Sequence, residues 1–331
     1  MELIKRYFIH IIALSVATIL MASCRSAGPC PAVPSAGHLG SEVNSGADDY
    51  IATSNGNTLY FTSKRDKKKE GIYSSEYDNG EFLRAELDTT LPLARYSNIS
   101  TPTFYRNPAD GVVEMYFSAT TKRNRNKEIY TTRQIGGLWS EPKPIEELSS
   151  DAFDSHPCIA PDGSFIVFSS MRDGGTGGLD LYVSYRNGKN SWTKPVNLGE
   201  GVNTQADDIT PCIAKDKSLY FASKGYTTGT GYDIIKAEFD GKKSWHNAKA
   251  LPIPLNSAAD DSGPTIVANN LCFASKRGGG CGGFDIYSFP LCGPVIVDGT
   301  LDSRINISDL GYVELYSRDG RKLEESRVND N

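Results

Sequence analysis

One phrase recurs through this chain and confines it to repeat architectures. Asp207 to Phe239 reads DDITPCIAKDKSLYFASKGYTTGTGYDIIKAEF, and Phe153 to Tyr185 and Asp260 to Phe289 repeat its order. Each copy has an acidic entry, a short strand with a proline, an apolar second strand ending in Ser, a Gly-rich loop and an Asp-led third strand. Five copies align on Ser63, Ser118, Ser169, Ser223 and Ser275, at intervals of 55, 51, 54 and 52 residues. A fixed period of this length is the mark of a supersecondary unit that cannot bury its faces alone and must stack on its neighbours.

The alternation of apolar residues and the turn signals draft four strands per copy. In the fourth copy they are Thr210 to Ala214, Ser218 to Ser223, Tyr232 to Glu238, and a fourth following Trp245 towards Leu255. Asn55-Gly56, Asp162-Gly163, Asn187-Gly188 and Asp240-Gly241 fall where the turns should be, and these pairs tolerate the positive φ of tight hairpins. The 32 Gly and 17 Pro fit many strands and few helices. Four-stranded units stack most economically in a ring, so the expected fold is all-β: a five-bladed β-propeller of four-stranded antiparallel blades. Ile166, Phe168, Leu219, Phe221, Leu271 and Phe273 should pack between blades. Copies two, three and four are followed by outer-strand phrases at Trp139, Trp192 and Trp245, but copy five is not. Val43-Asn44-Ser45 echoes Leu255-Asn256-Ser257. The segment His38 to Asn44 should therefore supply the last blade's outer strand and close the ring.

Pro157 to Ser170, with its Pro161-Asp162-Gly163 turn and the later Leu179-Asp180-Leu181-Tyr182, resembles the TolB-type, WD-like propeller repeat. The resemblance spans about residues 48–289. It implies a propeller but not an activity, since propellers host many functions.

The chain ends read differently. Lys5 and Arg6 precede an apolar stretch that closes on Ala22-Ser23-Cys24, the pattern of an export signal. Cys directly after small residues resembles the bacterial lipoprotein signal, which implies cleavage after residue 23, acylation of Cys24 and a membrane tether. The alternative is an ordinary signal peptide that leaves Cys24 as a thiol. By the same resemblance, Arg25-Ser26 after the Cys implies the periplasmic side of the outer membrane. The expected division is 1–23 signal, 24–39 linker, 40–290 propeller and 294–331 a partial β segment. The last resembles the opening strands of the small transthyretin-like (carboxypeptidase-regulatory-like) sandwich, a degenerate sixth blade being the alternative. In related envelope proteins this order continues into an OmpA-like domain, which is absent from the sequence given.

A formal net charge of −5 with no basic stripe gives no reason to expect nucleic acid. Asp48-Asp49, Asp154, Asp207-Asp208 and Asp260-Asp261 precede the first strands, and Lys64-Arg65, Arg172, Lys224 and Lys276-Arg277 follow the second. Antiparallel pairing brings both sets to one face. They read as turn caps and inter-blade ion pairs, or else as a binding rim. Asp180, Asp233 and Asp285 should cap Gly-rich turns. Without Cys24, six cysteines remain: Cys30, Cys158, Cys212, Cys272, Cys281 and Cys292. Cys158 and Cys212 could be bridged or simply buried, and Cys281 with Cys292, or Cys30 with Cys292, could staple the closure. No Gly-x-Ser-x-Gly, His-Glu-x-x-His or Cys-x-x-Cys occurs, so neither a metal nor a cofactor is expected.

Propellers with five blades include glycosidases, which need two carboxylates about 5–10 Å apart. Here the carboxylates come one set per blade, whereas a catalytic pair should be unique. The expectation is therefore a non-catalytic scaffold lipoprotein, not an enzyme. It would engage a protein partner in the cell envelope through Arg172, Lys224, Lys276, Arg277 and His156. The competing reading is a glycan-binding or glycan-cleaving propeller.

Overall fold

The computed structural model describes residues 37–291, apart from 67–69, 123–125, 189–190 and 227–230, together with three C-terminal strands. Cys24, Cys30 and Cys292, with the expected signal and most of the linker, lie outside the described residues. Five antiparallel sheets follow one another along the chain. Their inner strands begin at Asp49, Thr103, Asp154, Asp208 and Asp261. The drafted fourth blade is found as Asp208–Ile213, Leu219–Ser223, Asp233–Phe239 and Trp245–Ala250, so its inner strand starts two residues early. The only described helix is a single turn, Gly40–Val43, and no described helix is long and apolar enough to cross a membrane.

Alternation along each strand sends apolar side chains to both faces, and neighbouring blades bury them against each other. Leu181 and Val183 of blade 3 meet Leu219 and Phe221 of blade 4. Tyr220 and Ile234 of blade 4 meet Leu271 and Phe273 of blade 5. The six residues expected in the core, from Ile166 to Phe273, are all fully buried. Each such side chain contributes about 1.5–3 kcal/mol relative to exposure.

The ring closes through the N-terminal segment, as the missing outer strand required. Leu39 N donates to Ile286 O at 3.2 Å, Ser288 N donates to Gly37 O at 2.9 Å, and His38 bridges Tyr287 in antiparallel register. The Asn44 side chain brackets Ile286, accepting from its N–H and donating to its C=O. Asn256 does the same to Ile234, and Asn203 to Leu181. The sequence echo is therefore a shared edge clamp. Blade 5 packs directly on blade 1 through Val43, Leu59, Phe61, Ala274 and Ile286. Beyond the ring, Ser303–Ile307, Tyr312–Ser317 and Lys322–Arg327 form a separate three-stranded antiparallel sheet.

Register corrects the repeat alignment in two copies. Ser63, Ser170, Ser223 and Ser275 pair with Asp49, Asp154, Asp208 and Asp261. Ser169 instead faces Ser155, so the anchor of copy three is Ser170. The second copy's counterpart is Ala119, because Tyr116 opposes Thr103 as Tyr60 opposes Thr53.

Candidate functional site

The inner strands start, and the second strands end, at one face of the ring. Just inside that face each regular inner strand carries a bulge. The residue two positions after the entry Asp is left-handed: Ile51 (φ 50°), His156 (50°), Thr210 (51°) and Gly263 (60°). Positive φ is unfavourable for β-branched Ile51 and Thr210, and such strain concentrates at functional sites. Below the bulges, Thr53, Thr103, Cys158, Cys212 and Thr265 stand at equivalent positions. They stitch neighbouring inner strands: Ile159 N donates to Thr103 Oγ1 at 3.4 Å and Ile213 N to Cys158 Sγ at 3.3 Å. Cys158 and Cys212 are free thiols. A hydrogen bond between the two thiols holds Cys158 below the usual thiol range and pushes Cys212 well above it.

The two aspartates of each entry pair do different work. The second is buried and fixes its own blade. In blade 3, Asp154 Oδ2 accepts from Ser150 N and Oγ, both at 2.8 Å, and Oδ1 meets Arg172 at 2.7 Å. Arg172 also donates to Ser170 Oγ and Leu148 O. Asp49 with Arg65 and Asp261 with Arg277 repeat this staple. Blade 4 lacks it, because Gly225 stands where the arginine should be. Tyr226 OH takes over the carbonyl of Val202 at 2.8 Å, but Asp208 Oδ1 is left without a hydrogen-bond partner. Burial pushes the Asp208 carboxyl up to about 6, against the Ser223 and Thr204 contacts.

The first aspartate is half-buried and ties its blade to the preceding one. Asp48, Asp207 and Asp260 accept the N–H of Phe284, Leu179 and Tyr232, at 3.2, 3.2 and 3.0 Å. Each also pairs with a lysine of its own blade: Lys64 at 3.1 Å, Lys224 at 3.1 Å and Lys276 at 2.7 Å. Those lysines lie over aromatic rings, Lys64 on Tyr50 (5.1 Å), Lys224 on Tyr232 (4.4 Å) and Lys276 on Phe284 (4.7 Å). Burial alone would raise the three carboxyls, but the lysines and backbone N–H groups hold them below the usual range. Three blades thus present a ring, a cation and an ionised carboxylate at one face.

Blades 2 and 3 break the pattern. Phe153 takes the place of the entry acid, with its ring exposed. Lys127, in the column of Tyr232 and Phe284, is 8% exposed and lies 5.3 Å from the Phe153 ring. Burial pulls the Lys127 ammonium down to about 8. Glu70, from blade 1, accepts from Tyr50 OH at 2.6 Å.

The residues predicted from sequence fall into three environments. The guanidiniums of Arg172 and Arg277 are committed to internal staples, at 15% and 9% side-chain exposure. Lys224 and Lys276 stand on the open face at 38% and 48%. His156 holds a bulge position with Nδ1 buried and unpartnered, and burial with the Lys127 charge pushes its imidazole down to about 3. Sequence reasoning missed Tyr50, Glu70, Lys127, Phe153, Tyr232 and Phe284. The signal for Tyr232, Phe284 and Lys127 was a single column, the residue before each third strand. Asp180 and Asp285 do cap their Gly-rich turns, Asp285 accepting from Cys281 N at 2.8 Å. His38, Cys281 and Asp285 stand close enough to hold a metal ion, but Cys281 is disulfide-bonded and its sulfur is not available as a thiolate.

No protein-family model matches this chain, and no curated protein matches it. Among solved structures, an α-L-arabinofuranosidase from Lactobacillus brevis is similar at 12% identity and a TM-score of 0.50, over 89% of this chain and 98% of that one. An α-L-arabinofuranosidase from Podospora anserina, in complex with cellotriose, is 13% identical with a TM-score of 0.47, over 77% and 94%. TolB from Acinetobacter baumannii is 16% identical with a TM-score of 0.39, over 82% and 53%. At these identities the likeness is one of fold.

The expectation of a non-catalytic scaffold, and of no enzyme, is corrected. A solved structure that shares this ring's architecture at a TM-score of 0.50 is an α-L-arabinofuranosidase, a glycoside hydrolase. Repetition in every blade speaks against catalysis only where the carboxylates are equivalent. In the folded ring they are not equivalent: Asp208 lacks its arginine, Phe153 replaces an acid, and Glu70 stands apart on Tyr50.

Proposed function

We propose that this protein is a carbohydrate-active propeller that takes a glycan at the mouth of the ring, the face where its inner strands start. The observation that carries the reading is the aromatic–lysine–carboxylate unit repeated at Tyr50, Tyr232 and Phe284. Sugars offer C–H faces to flat rings and hydroxyl edges to charged groups, and sites of this kind combine apolar surface with a few placed polar groups. Tyr50, Tyr232, Phe284 and Phe153 provide the rings. Asp48, Asp207 and Asp260, ionised throughout the neutral range, accept from hydroxyls, while Lys64, Lys224 and Lys276 donate. The shared architecture with the Lactobacillus brevis arabinofuranosidase supports the same class.

The test is a glycan array and calorimetry on the purified protein, with polysaccharides and aryl glycosides assayed for hydrolysis. Binding that weakens at least tenfold in Tyr232→Ala and Phe284→Ala supports the site. Release of reducing sugar adds cleavage to recognition. No binding and no turnover across neutral and acidic glycans would end the proposal. The export signal and Cys24 support a lipid-anchored protein on the periplasmic side of the outer membrane. Fatty-acid labelling lost in Cys24→Ala checks that placement.

A further inference from the structure

We propose that the corner formed by Lys127, His156 and Phe153 binds the carboxylate of an acidic sugar, so that the glycan taken at this mouth carries uronic acid units. This rests on the glycan reading above and names the substrate class.

One entry acid is missing from the ring. In blades 4, 5 and 1 the entry aspartate accepts the backbone N–H that precedes the neighbouring blade's third strand, and neutralises a lysine at the mouth. At the junction of blades 2 and 3 that aspartate is Phe153, which can do neither. A cation has nevertheless been placed there. Lys127 is 8% exposed, and its ammonium makes no hydrogen bond or ion pair among the described residues. It lies 5.3 Å from the Phe153 ring. Cation–π attraction offsets only part of the cost of burying an unpaired charge. The acid that acts on it, Glu70, is held by Tyr50 OH and forms no ion pair with Lys127.

His156 makes the same point independently. Neither of its ring nitrogens has a hydrogen-bond partner among the described residues, and Nδ1 is fully buried. It is neutral at physiological pH, which suits it to donate one hydrogen bond rather than a second charge. One ammonium and one neutral donor match a monoanion. A dianionic phosphate would leave a charge uncompensated beside Glu70. The Phe153 ring, 36% exposed, offers a stacking surface for the sugar that bears the carboxylate. Every other lysine or arginine discussed at this face has its carboxylate within the chain, so this corner is where a ligand's carboxylate completes the pattern.

The experiment compares oligogalacturonate with the neutral oligogalactoside of the same length by calorimetry, on wild type, Lys127→Met and Lys127→Arg. The expected result is at least a tenfold preference for the acidic ligand in wild type. That ratio should collapse to about one in Lys127→Met and be largely kept in Lys127→Arg. Thermal melts check that the variants fold. Equal affinities in wild type, or an acidic preference untouched in Lys127→Met, overturn the inference while leaving the glycan reading standing. A second measurement follows the His156 ring resonances during titration with monomeric galacturonate, sodium acetate and inorganic phosphate. Saturable shifts with galacturonate support the site even if no oligosaccharide binds, in which case only the broader reading falls. Shifts with acetate equal to those with galacturonate assign the corner to free carboxylates, and shifts with phosphate alone to phosphate. Either result rejects the sugar, as does no shift with any probe.

Discussion

Asp208→Asn should stabilise this protein, although Asp208 is fully buried and belongs to a repeated motif. Three blades neutralise the equivalent aspartate with an arginine at 2.7–2.9 Å, and blade 4 does not. The carboxyl, ordinarily near 3.8, is pushed up to about 6 by burial. The sign follows from linkage. The folded state holds the proton more tightly than the unfolded chain, so there is no penalty below pH 3.8. The penalty grows as pH rises and is complete above about 6. At 1.36 kcal/mol per tenfold change in proton affinity, the full cost is about 3 kcal/mol. Asparagine removes the charge and keeps an oxygen for Thr204 N and Oγ1, which now bond Oδ2 at 2.6 and 3.0 Å. Its amide can face Ser223 Oγ. Allowing for imperfect geometry, about 1–3 kcal/mol should be recovered at pH 7.5, a rise in Tm of several degrees at about 2–4 °C per kcal/mol. Melts of wild type and variant from pH 4 to 8 provide the assay. The curves should coincide near pH 4 and separate between pH 4 and 7, the variant above. Parallel curves, or a variant that melts lower at pH 7.5, would refute the reasoning.

The same substitution elsewhere should have the opposite sign. Asp154→Asn and Asp261→Asn each strand a buried guanidinium, and should cost about 3–5 kcal/mol in denaturant unfolding. Removing residues 37–44 deletes the closing edge and Asn44's clamp on Ile286, and should lower Tm sharply, an unchanged melt counting against the seam. Gly263→Ala should destabilise by about 1–3 kcal/mol, since φ is 60° there and the new Cβ would stand 2.9 Å from Ile51 Cα; chemical denaturation measures it. Cys158 and Cys212 should resist alkylation in the native protein and react together on unfolding, because Cys212 is buried and Cys158 is bonded to Ile213 N.

The ring was legible because its determinants are local and repeated. Alternating apolar residues, Asn-Gly and Asp-Gly turns and the period defined five blades, and the orphan segment before Asp48 pointed to the seam. What escaped was anything set by register across a bulge. Ser118 and Ser169 look like anchors in the sequence, but the pairing puts Ala119 and Ser170 at that position. The division of labour within Asp48-Asp49, Asp207-Asp208 and Asp260-Asp261 was hidden for the same reason. Adjacent residues on a strand face opposite ways, and only pairing reveals which one meets the arginine. The mouth was harder still. Lys127, Phe153 and Glu70 come from three blades, and none carries a motif. Their meaning lies in departing from columns that can be drawn only once the blades are superposed.

The seam has a cost in time. Asn44 and Ile286 are 242 residues apart, and ribosomes add about 5–20 residues per second. The segment that completes the last sheet is therefore made about 10–50 s before the strand it must join. Until then the first blade waits with an unfilled flank, and each later blade presents a fresh unpaired edge of the kind that invites association with other chains. The Asn44 clamp and the buried Val43 hold the segment once it has docked.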